Sequence, residues 1–585
     1  MTSSGSSSTT AAEPASSSAG SRRSPRNWLW LALGVCLLVW DPQATAQAPK
    51  ALAVSVLGLC AAAWCAFRKA PLVLPAPLAA AGAWIAWSCL TLLWGSPSAL
   101  SVLSFNLAAF VVALVARATW SASELRQQLH KLSIFLGVST SGWALYQYAI
   151  GARGSYLHGG LGNPNWLGLT LALTFLLSLP ERRALQSVRG RLTVALSLTP
   201  QLVALCLAQS RVAWVALVVA LLFALARLRT VTFQRFAPHL AWLCALAAPL
   251  AAWGAQPSTS GGWQEALAGR RFIWRSALEA TAQEPLRALT GFGSGRFPDA
   301  FLSGQGALLG GLSERSASRA FQALQSAHSD WIQTFLEHGV GGWLLMVAWL
   351  WLALRTGRQT RHWLRGEMSL IALGVCAIAD APLQQPVVLV LALLVTAALG
   401  RDAFGGIARV RRLPIWWLAL TLLALGTRLS AGHWLAERAG SEAKARPEAR
   451  LPLLERAVKL DPYSAQAHFD LAVALLDSGE PERCLSHAER SRGLSESLGA
   501  ELLIAKALSR LGRVADAHRV LLSARDISPG SFRVNLGLAS VELELGDLRT
   551  AETSLARATA VLPGDPRLSP LRERLKQAQR DQEMR

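Results

Sequence analysis

The sequence predicts an all-α protein: a polytopic bundle of about thirteen membrane helices, followed by an α-solenoid on the outer side. Three observations predict it. Apolar side chains make up 52% of the 585 residues and charged ones only 16%, in apolar runs that recur roughly every 20 to 30 residues. Lys and Arg gather in alternate connections between those runs. Beyond about residue 443 the apolar positions take helical spacing and repeat with a period of about 34.

Residues 1–27 are rich in Ser, Ala and Gly and read as a disordered cytoplasmic tail ending near Arg22, Arg23 and Arg26. Apolar runs then centre on residues 28–40, 51–67, 72–94, 99–116, 132–150, 165–179, 192–208, 212–226, 237–254, 331–354, 368–381, 386–399 and 414–432. Only a helix satisfies its own backbone in lipid, so each predicts a membrane helix. The sixth, eleventh and twelfth are short or interrupted by Pro382 and Pro386. Ala44-Thr45-Ala46 is a weak cleavage site after the first run, which we read as a retained anchor.

The even-numbered connections hold most of the loop cations, among them Arg182, Arg183, Arg189, Arg191, Arg355, Arg358, Arg361 and Arg365. The short odd-numbered ones offer little beyond Lys50, Arg153 and Arg211. This asymmetry puts the amino terminus in the cytoplasm, and the long hydrophilic loop 255–330 and everything after residue 442 outside. It also explains the net charge of +21 by loops facing anionic lipid, so no nucleic-acid partner is expected. Seven of the eight cysteines lie in apolar runs and Cys484 stands apart, which gives neither a disulfide framework nor paired metal-ligand spacing. No cofactor and no metal are expected.

In residues 443–585, Gly479, Gly512 and Gly546 each end one helix and open the next. Ala472, Ala505 and Ala539 precede them at a constant spacing, Ala517 and Ala551 follow the last two, and Cys484 takes that place in the first unit. This pattern resembles the tetratricopeptide repeat, whose stacked helix pairs leave a concave groove. The groove is expected to dock a protein partner or the acceptor, with a rigid spacer as the alternative.

Four segments carry candidate chemistry, and the topology brings all four to the outer surface. They are Gly162-Asn163-Pro164-Asn165, Gln209-Ser210-Arg211-Val212-Ala213-Trp214, Gly269-Arg270-Arg271-Phe272-Ile273-Trp274 with Gly291-Phe292-Gly293-Ser294-Gly295-Arg296, and His328 followed by Glu337-His338-Gly339-Val340-Gly341-Gly342. At these residues the chain resembles the O-antigen ligase superfamily, with the core match over about residues 209–342. It departs from that pattern at Val212, Glu284 and Ser329.

The resemblance implies transfer of a glycan from an undecaprenyl diphosphate carrier to an acceptor outside the bacterial inner membrane. The acceptor would be a lipid A core, a growing glycan (polymerase) or a protein (O-oligosaccharyltransferase). The residue chemistry fits such a reaction. A diphosphate leaving group needs a divalent metal or several forked guanidinium donors. The first outer loop offers only Asp41 as a carboxylate, which favours arginines and a metal-independent mechanism.

Arg211 is the first diphosphate ligand, since an arginine ending an apolar run is costly unless paired; snorkelling is its alternative. Arg270 matches the family arginine, and Arg271 and Arg296 are added as neighbouring diphosphate contacts. Taken singly, Arg275 and Arg296 read as solvated surface. His328 suits a general base because imidazole titrates near neutrality, and direct attack at the anomeric carbon would invert it. Asn163 and Asn165 are assigned to sugar hydroxyls or to a turn. Asp330 is assigned to cap the next helix, with orienting His328 as the alternative, His338 to packing or hydrogen bonding, and Gly339 to packing. A non-enzymatic scaffold that recruits envelope proteins through its repeats is the competing reading.

Overall fold

The computed structural model describes residues 27–41, 47–68, 74–152, 157–227, 263–360, 363–400, 413–445 and 447–584. All of the expected tail 1–27 except Asn27, which begins the first helix, lies outside these residues, as do the expected ninth span at 237–254 with Cys244 and the start of the long loop. Every regular element among the described residues is helical.

The amino-terminal helices are α1 (Asn27–Leu38), α2 (Ala48–Arg68), α3 (Ala76–Leu90), α4 (Leu100–Thr119), α5 (Ala122–Ala149), α6 (Pro164–Ser178), α7 (Val188–Ala208) and α8 (Arg211–Arg227). The loop contributes α9 (Trp263–Gln283), α10 (Arg287–Thr290), α11 (Phe297–Leu309) and α12 (Glu314–Ala320). The bundle closes with α13 (Asp330–Thr360), α14 (Leu364–Ala379), α15 (Pro386–Leu399) and α16 (Leu413–Ala445).

Among the described residues, five helical segments are long and apolar enough to cross a membrane: Ala48–Phe67, Ala76–Leu93, Pro97–Thr119, Val188–Ala208 and Asp330–Gly357. Several of the thirteen expected spans are shorter. α6 has 15 residues and is buried from Leu167 to Ser178, and all 14 residues of α15 are buried. Their uninterrupted apolar sequence reflects a sheath of neighbouring helices on every side, for which length is not required. Local sequence sets the ends: Ser121 and Glu124 form a reciprocal capping box on α5, and Asn163 caps α6 with Pro164 in its first turn.

α16 runs unbroken for 33 residues, about 50 Å, and carries the chain from the bundle to the repeats. The repeats are α17 (Pro447–Leu460), α18 (Ala465–Asp477), α19 (Pro481–Leu494), α20 (Leu498–Arg510), α21 (Val514–Ile527), α22 (Phe532–Leu545), α23 (Leu548–Val561) and α24 (Leu568–Glu583). Ser464, Ser497 and Ser531 cap α18, α20 and α22, and Ala472, Ala505, Ala539, Ala517 and Ala551 are buried where paired helices touch. The solenoid rests on the long loop. Asp299 Oδ1 accepts from the Glu496 N–H at 2.8 Å and from Ser495 Oγ at 3.3 Å, and Arg557 pairs with Glu314 at 3.2 Å.

Candidate active site

The turn between α7 and α8 is tight. Gln209 takes a left-handed conformation (φ 52°), Ser210 is buried with its hydroxyl accepting from the Ala213 N–H at 3.4 Å, and Arg211 begins α8 half-buried. Gly168 of α6 lies against Ser210, where a Cβ would strike its side chain. The first turns of α6 and α8 are therefore side by side.

The connection leading into α6 is held by two polar side chains from inside the bundle. Gln147 Oε1 accepts from the His158 and Gly159 N–H groups at 3.2 and 2.9 Å. Lys50, 3% exposed, donates to the Gly160 carbonyl at 2.7 Å and the Val39 carbonyl at 2.6 Å. Lys50, counted from sequence as a loop cation, is thus a structural donor. Asn163 Oδ1 accepts from the Trp166 N–H at 2.8 Å, so its side-chain oxygen is committed to the helix cap. Asn165 sits half-buried in the same first turn.

α14 ends beside these two turns. The Cys376 thiol approaches the Val212 carbonyl at 3.9 Å, and four residues further along the chain the helix gives way to Asp380. Asp380 is 8% exposed; its carboxylate accepts from the Ala381 N–H at 2.8 Å and from the Trp166 side chain. The His328 imidazole and the Arg270 guanidinium act on it electrostatically. His328 and Arg270 therefore face one acidic group that the sequence reading passed over. An ionisable residue ending an apolar run just before Pro382 was the available signal.

His328 is exposed and also left-handed, with φ 48°. Its flanks are fixed: the Trp274 indole donates to the Ala327 carbonyl at 3.2 Å, and Ser329 Oγ donates to the Ala377 carbonyl at 3.1 Å. Arg270 lies one turn before Trp274 on α9, so the contact that secures Ala327 also sets the guanidinium near the imidazole. Arg271 is exposed on the neighbouring face. Arg296 is elsewhere: it pairs with Asp299 at 2.5 Å and faces Glu496 at the solenoid contact.

Asp330 corrects its expected role as a cap. Ser329 Oγ accepts from the Ile332 N–H at 3.4 Å and occupies the cap position. Asp330 instead reaches across to accept from the Leu383 N–H at 2.8 Å, while its own N–H donates to the Asp380 carbonyl at 3.2 Å. A buried carboxylate at this place is better satisfied by the turn after α14 than by its own helix, and the double link fixes Asp380 relative to His328.

The second halves of the third and fourth motifs form a clasp within the fold. α13 breaks at Gly339 (φ 65°, ψ −170°), and the Phe292 and Gly293 N–H groups donate to the exposed carbonyls of Leu336 and Glu337 at 2.9 Å each. A Cβ on Gly339 would strike the Leu289 carbonyl, and one on Gly291 would strike the Glu337 carbonyl. His338 is buried against Ser294, with Nε2 3.1 Å from its hydroxyl. These residues hold the loop to the bundle, and none of their contacts reaches His328.

Trp166 reaches Asp380 by a hydrogen bond, His328 and Arg270 act on it electrostatically, and the turn that begins α8 with Arg211 lies beside the end of the same helix.

Residues 508–575 match the tetratricopeptide repeat family model, and the carboxy-terminal domain accordingly carries tetratricopeptide repeats. No curated protein matches the chain. Similar solved structures include YrrB, described as a TPR protein with an unusual peptide-binding site (14% identity, 25% of this chain and 86% of that one, TM-score 0.22). They also include a thermophilic TPR protein of Thermus thermophilus (20% identity, 28% and 93%, TM-score 0.22) and yeast Tom70 (11% identity, 76% and 96%, TM-score 0.24).

Proposed function

We propose that the chain spans a bacterial inner membrane and transfers a glycan from an undecaprenyl diphosphate carrier to an acceptor on the outer side, as the O-antigen ligase superfamily it resembles does. The observation that supports this reading is the electrostatic interaction of His328 and Arg270 with Asp380, at the end of the helix beside the turn that begins α8 with Arg211.

In this mechanism His328 takes the proton of the acceptor hydroxyl as that oxygen attacks the anomeric carbon. The bond from that carbon to the phosphate oxygen breaks, its electron pair leaves with the lipid diphosphate, and the anomeric configuration inverts. Arg211 and Arg270 meet the charge growing on the leaving oxygen with planar, forked donors. Asp380 stabilises the imidazolium that forms on His328. Arg271, next to Arg270 on α9, is assigned a further phosphate contact, whereas Arg296 is engaged with Asp299 and serves the solenoid contact. The isoprenoid tail would lie in the bilayer.

Purified protein in lipid vesicles, supplied with a labelled lipid diphosphate glycan and candidate acceptors, tests this directly. Transfer that is lost in His328→Ala and Arg211→Ala, at unchanged protein abundance, supports it; transfer that survives both variants overturns it. A scaffold reading draws on the tetratricopeptide repeats, a fold that commonly binds proteins. It predicts that both variants leave envelope function intact while truncation after residue 445 abolishes it.

A further inference from the structure

On the other side of the first turns of α13 lies a cavity of about 870 Å³, within the size range of pockets that enclose small ligands. Its walls come from the starts of α2 and α4, the outer end of α3, α13, the turn before α15, α16, and the solenoid edge around α18 and the loop before α20. Bundle and repeats enclose it together. Among the described residues its wall includes no Lys or Arg, although the chain has 57 of them. Carboxylates are present instead, among them Asp461 and Glu496. A phosphate-bearing ligand is therefore disfavoured by like charge, and the donor's diphosphate belongs with Arg211 and Arg270.

What the wall does offer is carboxamides (Asn106, Gln333, Gln384, Gln466), serine hydroxyls and the aromatic rings of Trp84 and Phe469. Groups that both donate and accept, interleaved with aromatic faces, match a polyol whose hydroxyls do both and whose C–H faces are apolar. The chain from Ala323 to Gln325 lines the cavity and continues into the turn that holds His328.

We propose that this cavity receives the saccharide of the acceptor, with the solenoid edge as one of its walls. The word acceptor rests on the glycan-transfer reading; the binding of sugar does not.

The test uses the full chain in lipid nanodiscs, with labelled tetrasaccharides (chitotetraose, maltotetraose, mannotetraose) and inorganic pyrophosphate as separate probes. Gln466→Trp fills the cavity from an exposed position, and Asn106→Leu removes a polar group from the opposite wall. Each variant is expected to weaken binding of the favoured tetrasaccharide about tenfold and to leave pyrophosphate binding unchanged, with Arg211→Ala giving the reverse pattern.

Absence of tetrasaccharide binding in the unmodified chain overturns the proposal. So does sugar binding that both cavity variants leave intact or that pyrophosphate displaces, or occupancy of the cavity by a Ser- and Thr-rich peptide in place of sugar. Sugar bound in the cavity by a chain that transfers no glycan from any lipid diphosphate donor would support the site and remove the transfer reading alone.

Discussion

Replacing Asp380 with Asn removes one charge and keeps the shape. The amide oxygen can still accept from the Ala381 N–H now 2.8 Å from the carboxylate, so the turn after α14 should survive. What is lost is the counter-charge to the imidazolium formed on His328. His328 is exposed, so the pairing is screened and worth about 0.2–1 kcal/mol, and transfer should fall by up to roughly fivefold. His328→Ala, which removes the base itself, should cost about 10²–10⁴.

Because the two residues act as a unit in this mechanism, the double variant should be no worse than His328→Ala alone. The assay is transfer from a fluorescent lipid diphosphate glycan in vesicles, with thermal unfolding followed in parallel. Full activity in Asp380→Asn, or losses that simply multiply in the double variant, would refute the pairing.

Arg211→Lys keeps the charge and loses the fork, so it should recover only part of the transfer lost in Arg211→Ala, read as kcat/KM for the lipid donor. Gly339→Ala should destabilise the chain by about 1–3 kcal/mol or more, because of the positive φ and the collision with the Leu289 carbonyl; a lowered melting temperature and faster proteolysis around residues 285–295 would show it. Asp299→Ala removes the acceptor that ties the Glu496 N–H and Ser495 to the loop, and should speed proteolysis between α19 and α20 while leaving the helix content unchanged. Arg557→Ala at the partly exposed pair with Glu314 should cost under about 1 kcal/mol, checked by the same melting measurement.

The repeats were the most legible part of the sequence because their signal is local. Gly479, Gly512 and Gly546 have φ of 82°, 74° and 79°, and the alanines at fixed offsets are the points where helices touch. The bundle was harder to count. Apolar sequence marks burial and does not say whether lipid or protein provides it; α15 reads like a membrane span yet is enclosed by other helices.

At the candidate site, Arg211, Arg270 and His328 are legible from sequence as candidates because their motifs are compact. Asp380 and Lys50 are not, since each acquires its role from segments far away in the chain: Asp380 from α6, α9 and the His328 turn, Lys50 from Val39 and Gly160. Arg296 stands beside a glycine-rich motif that suggests phosphate, and the structure adds its pairing with Asp299 three residues on.

Backbone strain offers an independent mark of the same place. Among the described residues, only Gln209 and His328 take positive φ without being glycine. Such positions cost of order 1 kcal/mol each and persist only where the surroundings impose them. Here the impositions are visible: Gly168 and the Ser210 hydroxyl on one side, Trp274, Ser329 and the Asp330–Leu383 link on the other. Glycine would serve both turns with less strain, yet the chain puts a side chain at each. One of the two carries the imidazole and the other immediately precedes Ser210 and Arg211. If these turns were only connections, His328→Gly and Gln209→Gly should stabilise the fold with no other consequence. On the transfer reading, His328→Gly gains stability and loses turnover together, whereas Gln209→Gly gains stability and loosens Arg211, raising the KM for the lipid donor. A pair of variants more stable than the parent and equally active would break the link between strain and function.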